Sequence, residues 1–112
     1  MESMRRGEVW WVSFDPSLGG EIRKTRPAVI MSNNAANAAL NRVVVVPLSS
    51  QTAKIYPGEA LVSLSGKSSK AMADQVAAVS KQRLRSRISA LTLADILSVE
   101  EAILVQLAIH RL

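Results

Sequence analysis

Three cations, Arg23, Lys24 and Arg26, stand before a short apolar run in "EIRKTRPAVIMSN" (residues 21–33). Arg26 directly precedes a proline, which disfavours helical backbone and holds the arginine in an extended geometry where a strand begins. Its guanidinium offers a planar fork of donors that matches phosphate oxygens and stays charged at any relevant pH. A solvated basic loop is the commoner outcome for such a stretch taken alone, because charged side chains usually lie on solvated surfaces. These residue types therefore allow phosphate binding without requiring it.

The segment "SSQT" (residues 49–52) is a cluster of hydroxyl and amide groups that follows an apolar run. Ser49, Ser50, Gln51 and Thr52 can donate hydrogen bonds to phosphate oxygens or contact base edges. An ordinary polar loop is the commoner explanation of the cluster taken alone, since serine and threonine are common turn residues.

Two later stretches also carry polar groups. Asp74 and Gln75 fall within an otherwise strand-like run, where buried polar side chains need partners or a function. In "KQRLRSR" (81–87), four cations recur at every second position, so an extended segment would direct all four to one face. Such a stripe could follow a phosphate backbone, or it could protect an exposed edge strand against aggregation.

The residue types that are missing narrow the chemistry further. The chain has no cysteine and one histidine, His110, so disulfides, thiolate metal sites and a two-histidine acid–base pair are excluded. Catalysis, if present, must use hydroxyls, carboxylates, amides and arginines.

The elements that must position these residues are mostly short strands. Alternation and β-branched content predict strands, and "NNAANAAL" between the second and third could be a short helix or a loop. The predicted strands cover 8–14, 27–32, 42–49, 58–64 and 71–80, with a polar turn at 65–70 and a long loop at 15–25. Helical spacing then begins after Thr92, a predicted N-cap, with Asp95 three residues later. The sequence predicts a mainly β (α+β) domain: a small antiparallel SH3-like barrel with a C-terminal α-helix.

Length and charge limit the organisation and the partners. At 112 residues the chain is expected to form one domain over residues 1–112. It lacks an apolar run long enough to span a membrane, so we expect a cytoplasmic protein without a membrane partner. The formal net charge of +5 favours a polyanionic partner, above all nucleic acid.

The order of motifs resembles the MazF/PemK/Kid family of bacterial toxin–antitoxin endoribonucleases. The resemblance runs from about Arg5 to the end of the chain and rests on five motifs in order with family-like spacing, none of them specific alone. They are "RRGEVWWVSFDPSLGGE", "RPAVIMS", "VVVVPLSSQ", "YPGEALVS" and "ADQVAAVS", followed by the C-terminal helix.

This resemblance implies a type II toxin, an mRNA interferase that cleaves single-stranded RNA at short sequences without a metal or other cofactor and so inhibits translation and growth. It implies a catalytic group of Arg26, Ser49 (where the family has threonine) and Glu21. The RNA-binding residues that we predict beside them are Arg23, Lys24, Ser50, Gln51, Lys54, Asp74 and Gln75. It also implies a homodimer, and a cognate MazE-like antitoxin that we expect to bind as an acidic, extended segment across the basic groove.

The chemistry of the residues agrees with that implication. Without metal ligands or a histidine pair, the accessible route is attack by the RNA 2′-hydroxyl on the adjacent phosphate, with the protein stabilising charge. Two alternatives stay open. A CcdB-like toxin would use the same barrel to bind DNA gyrase without cutting anything. A plain RNA-binding barrel would be expected to carry stacking aromatics, which are only 4% of this chain.

Overall fold

A computed structural model describes residues 3–14 and 24–110 of the chain. It contains seven strands, two α-helices and two short 3₁₀ turns, at Ala73–Gln75 and Lys81–Arg83. The strands are β1 (Glu8–Ser13), β2 (Thr25–Ile30), β3 (Arg42–Ser49), β4 (Glu59–Leu64), β5 (Lys67–Met72), β6 (Ala77–Ser80) and β7 (Leu84–Ala90). The helices are α1 (Asn34–Ala39) and α2 (Leu93–Gln106). The segment for which the sequence left helix and loop open is thus a short helix, capped by the Asn33 side chain.

The strands form one antiparallel sheet in the order β4-β5-β3-β2-β1-β7, with β6 also paired to β3. Along one edge of β3, residues 42–45 pair with β6 and residues 48–49 pair with β5. The 3₁₀ turn at Ala73–Gln75 joins these two partners. The prediction of one continuous strand over 71–80 is therefore wrong, because the chain leaves the edge of β3 between its two pairings.

The hairpin between β4 and β5 also differs from the expectation. Only Ser65 and Gly66 form the turn, both with positive φ (50° and 82°), as in the tight hairpin turns that match the twist of paired strands. The predicted polar turn at 65–70 is wrong for residues 67–70. Those residues pair with β4 in an unbroken register from Lys67 opposite Leu64.

Both faces of the sheet are buried, each in its own apolar cluster. One cluster lies beneath α2 and includes Val9, Val46, Val62 and Val99. The other lies on the opposite face and includes Trp10, Val12, Ile30, Val45 and Leu84. Alternate residues of β1 therefore contribute to the two clusters. One face of the sheet is buried because the sheet curls over it, and the other is buried because α2 covers it. The predicted fold class is confirmed as a curled antiparallel half-barrel with a C-terminal helix.

The predicted N-cap of α2 is confirmed. The Thr92 hydroxyl accepts a hydrogen bond from the backbone N–H of Asp95 at 3.2 Å. The Asp95 carboxylate in turn accepts from the backbone N–H of Ser63 at 2.9 Å, which ties the helix start to β4. Within the described residues, no helix has the length and apolar character needed to cross a bilayer.

Candidate active site

Two adjacent hollows in the surface share the side chain of Arg26. The first is lined by Phe14, Lys24, Arg26, Pro47 and Gln75. The second is lined by Arg26, Leu48, Ser49, Ser50, Gln51, Lys70 and Met72. We call them together the joined hollow. It brings five of the predicted RNA-contacting or catalytic residues around Arg26, namely Lys24, Ser49, Ser50, Gln51 and Gln75.

Strand register explains why these residues meet. Strand β2 pairs with β3 so that Ala28 lies opposite Pro47, and the same register continued by two residues brings Arg26 opposite Ser49. On the other side of β3, Ser49 lies opposite Lys70 of β5. Residues paired directly across antiparallel strands project from the same face. Arg26, Ser49 and Lys70 thus form a polar row across three strands.

Arg26 is half-buried and keeps its guanidinium available. No carboxylate, carbonyl or hydroxyl in residues 3–14 and 24–110 accepts a hydrogen bond from this guanidinium. A partly desolvated cation without a protein counter-charge gains from an anion with matching geometry, and the guanidinium fork matches phosphate.

The Ser49 side chain is held by the turn that follows β3. Its Oγ accepts a hydrogen bond from the backbone N–H of Gln51 at 3.1 Å, a local turn that also sets the course of Ser50 and Gln51 around the hollow. The hydroxyl proton is not consumed by this contact, so Ser49 can still donate to a bound oxygen.

The two residues of the "DQ" pair face different hollows. Gln75, on the 3₁₀ turn, lines the joined hollow. Asp74 is exposed and instead lines a separate hollow of about 160 Å³ with Tyr56, Gly58, Glu59 and Gln106. The structure does not bring Asp74 next to Arg26, because successive residues of a tight turn project in different directions.

The remaining three predicted residues are Lys54, Glu21 and Arg23. Lys54 is exposed and is absent from the joined hollow, although its carbonyl oxygen contacts Lys70. Glu21 and Arg23 lie outside the described residues. Within the described part of the chain, no three His, Cys, Asp or Glu side chains gather as candidate metal ligands.

Lys70 is the residue that sequence reasoning missed. Its ammonium pairs with Glu59 Oε1 at 3.1 Å and donates to the carbonyl of Lys54 at 3.1 Å, with both charged side chains about nine-tenths buried. The sequence alone carried no signal for its place in strand β5 opposite Ser49. Assigning 65–70 to a turn removed that strand from consideration.

Residues 81–87 do not form the one-faced basic stripe that a fully extended segment would give. Lys81 and Arg83 lie in a 3₁₀ turn, where they donate to the carbonyl oxygens of Asn37 and Ser13. Arg87 pairs with Glu8 at 3.1 Å. Because β7 lies at the edge of the sheet, the exposed Arg85 and Arg87 fit the edge-protection interpretation better than phosphate tracking.

A family model of PemK-like, MazF-like toxins of type II toxin–antitoxin systems matches residues 5–107. The chain belongs to this family. Its Arg26, Ser49 and Gln75 all lie within the matched region, and so do every strand and the whole of α2.

Relatives of the toxin are named as endoribonucleases. It is 38% identical over 109 residues to endoribonuclease MazF9 of Mycobacterium tuberculosis, covering 89% of this chain and 92% of that protein. It also resembles two solved endoribonuclease structures from mycobacterial species. One was solved with its cognate antitoxin (25% identity, TM-score 0.78, covering 96% of this chain and 98% of that one). The other shows likeness of fold (22% identity, TM-score 0.82, covering 100% and 98%). The predicted family and enzyme class are confirmed, and the CcdB-like alternative is not supported.

Proposed function

We propose that the toxin cleaves single-stranded mRNA in the joined hollow without a metal ion, and that RNA supplies its own nucleophile. The 2′-oxygen forms a bond to the adjacent phosphorus while the bond from phosphorus to the 5′-oxygen breaks. The 2′-hydroxyl loses its proton and the leaving 5′-oxygen gains one. The products are a 2′,3′-cyclic phosphate and a 5′-hydroxyl end, so no water is consumed in this step.

The observation that carries this proposal is the polar row of Arg26, Ser49 and Lys70 across three paired strands. Developing negative charge on a phosphorane is best met by donors fixed before the reaction begins. Arg26, without a protein counter-charge in the described residues, supplies the main positive charge. Ser49 donates a hydrogen bond to a phosphoryl oxygen from a position that its loop has already fixed.

Proton transfer needs a group other than Arg26, because a guanidinium does not give up its proton in a protein. Glu21 is the carboxylate nearest to Arg26 in the sequence, five residues before it. We therefore propose Glu21 as a catalytic participant in proton transfer, by the implication of family membership and its chemistry rather than by geometry.

Other residues bind the strand on either side of the reaction. Lys24, Ser50, Gln51 and Gln75 line the joined hollow and can contact phosphates or base edges. Lys54 and Asp74 are proposed as more distant RNA contacts, and Arg23 is proposed as an RNA contact by its place in the sequence.

We also propose that the toxin acts in the cytoplasm as a homodimer of one-domain chains. Leu107 and Ile109, just beyond the end of α2, are each about half exposed, and Leu93 and Leu97 lie exposed in its first half. That apolar surface exceeds what the core cluster beneath α2 covers, which favours a second copy of the chain there. Light scattering that reports a monomer at micromolar concentration would count against the homodimer.

A cognate antitoxin, MazE-like and acidic, is proposed to cover the basic hollow. The similar mycobacterial endoribonuclease that was solved with its cognate antitoxin supports a partner of this kind. The net charge of +5 favours an acidic segment over a neutral one. A neutral or basic partner that leaves the hollow open to RNA would count against this proposal.

The test of the cleavage mechanism is incubation of a defined single-stranded RNA in excess chelator with the parent chain, with Arg26→Ala and with Arg42→Ala. Arg42 is a matched control because it is an exposed arginine at the opposite end of β3. We expect Arg26→Ala to abolish cleavage with an unchanged circular dichroism spectrum and Arg42→Ala to retain it. A 2′-deoxy nucleotide immediately 5′ of the mapped cleavage site should block the reaction. Cleavage of that modified RNA, or full activity of Arg26→Ala, would overturn the mechanism.

A further inference from the structure

Tyr56 is an exposed aromatic ring that the mechanism leaves unused. It is 58% exposed, the most exposed aromatic side chain among the described residues. Its ring lines the small hollow that also contains Asp74 and Gln106. Lys70, which lines the joined hollow, has its ammonium 5.6 Å from the centroid of the same ring. The ring therefore stands one side chain away from the proposed cleavage site.

The backbone around Tyr56 is held firmly in place. Its N–H donates to Glu59 Oε1 at 2.9 Å, and its carbonyl accepts from the N–H of Glu59 at 2.9 Å. Pro57 lies inside this four-residue turn and restricts it further. The carbonyl of Gly58 accepts from Ala73 at 3.1 Å, which ties the turn to the segment that carries Gln75.

The Glu59 carboxylate links this turn to the reaction site. The same oxygen that accepts from the Tyr56 N–H also accepts from the Lys70 ammonium at 3.1 Å. An exposed aromatic ring normally loses side-chain freedom when it binds a partner, and a ring already held by its turn and a neighbouring cation loses less. Such preorganisation is what a binding surface requires and what a solvated loop does not.

We infer that Tyr56 stacks on a nucleobase of the single-stranded RNA, beside the nucleotide whose phosphate lies at Arg26. Every base has a π-face, so the contact suits a strand whose bases are unpaired. Lys70, already placed by Glu59, steadies the ring. Tyr56 is thus a substrate-positioning residue, and Lys70 and Glu59 act through it. This inference rests on the proposed cleavage site.

A direct test uses the fact that Tyr56 is the only tyrosine of the chain. Toxin labelled with 3-fluorotyrosine should give one ¹⁹F resonance. We expect this resonance to shift and saturate on titration with a random-sequence octamer of 2′-O-methyl RNA, which has no 2′-hydroxyl to attack. An octamer of abasic nucleotides carries the same phosphates without bases and should leave the resonance in place. An equal shift from the abasic oligomer, or no shift while fluorescence anisotropy shows the RNA bound, would overturn the inference.

Variants supply an independent measurement. Tyr56→Ala should raise KM for RNA cleavage by about 5- to 100-fold, the equivalent of losing one stacked base, with a smaller change in kcat. Tyr56→Phe keeps the ring and should match the parent. Ile55→Ala is the matched control, since Ile55 is an exposed neighbour outside the hollows described above. An unchanged KM for Tyr56→Ala would refute stacking while leaving Arg26-dependent cleavage intact, whereas retained cleavage by Arg26→Ala would refute the proposed site itself.

Discussion

Removing one partner of the ion pair between Lys70 and Glu59 should destabilise the chain far more than removing one partner of a typical surface pair. The side chains of Lys70 and Glu59 are 12% and 10% exposed, and the Lys70 ammonium has a second acceptor in the carbonyl of Lys54. Lys70→Met keeps most of the apolar stem and removes the charge. Glu59 would then stay nearly buried with a single described donor, the Tyr56 N–H.

The size of the effect follows from these contacts. Removing a charged hydrogen-bond partner costs about 1.5–3 kcal/mol, and breaking a fully buried pair costs about 3–5 kcal/mol. Because Glu59 keeps one backbone donor and both groups retain slight exposure, we expect a loss of about 2–3 kcal/mol in the free energy of unfolding. For a chain of this length that corresponds to roughly 10 °C in Tm.

Thermal and urea unfolding followed by circular dichroism would measure the loss, with Arg87→Met as the matched control. Arg87 pairs with Glu8 at the same 3.1 Å distance, but its side chain is 46% exposed, so we expect a loss below about 1 kcal/mol. The double variant Glu59→Gln/Lys70→Met should recover much of the lost stability, because no charge is then left buried. Equal losses for Lys70→Met and Arg87→Met, or a double variant weaker than Lys70→Met alone, would refute this account of the pair.

Three further predictions concern the backbone and the RNA site. Gly7→Ala should destabilise the chain by about 2–4 kcal/mol in urea unfolding, because Gly7 has φ +91° and an added Cβ would lie 2.6 Å from Ile96 Cδ1. A loss below about 1 kcal/mol would show that Ile96 moves aside freely. Ala108→Gly should raise stability by about 0.5–1 kcal/mol, since Ala108 adopts φ 55° in the turn that ends α2, where glycine is favoured. A lowered Tm would contradict it. Lys24→Ala should reduce the salt dependence of RNA binding by roughly one phosphate contact, and an unchanged slope of log Kd against log salt would remove Lys24 from the interface.

Those parts of the fold that depend on local pattern were predictable from the sequence. The run "RVVVVPLS" indicated the bounds of β3 correctly, because a continuous β-branched stretch bounded by turn residues has few alternatives. Thr92 marked the start of α2 by the chemistry of its hydroxyl. In both cases the deciding interactions lie within a few residues of one another along the chain.

The site was only partly predictable, because its residues meet through strand register. Sequence periodicity indicates that a strand exists, but it does not say which residue lies opposite which. Lys70 lies in the site because it is opposite Ser49 on the neighbouring strand. Asp74 lies outside the site because of the direction in which it projects from the 3₁₀ turn. Neither relation has a signature in the sequence alone.

The interruption of the predicted strand at 71–80 is what builds one side of the joined hollow. On the edge of β3 that faces β5 and β6, no pairing is made between Val45 and Leu48. Pro47 lies in that gap, where a residue without an N–H removes no hydrogen bond from this ladder. The 3₁₀ turn fills the space and brings Gln75 against the hollow that Pro47 also lines. A continuous strand would have paired the backbone groups of residues 71–80 with β3 and left no place for the Gln75 side chain at the hollow. The strand predicted from the local pattern is therefore interrupted, because the polar site and regular pairing compete for the same edge of β3.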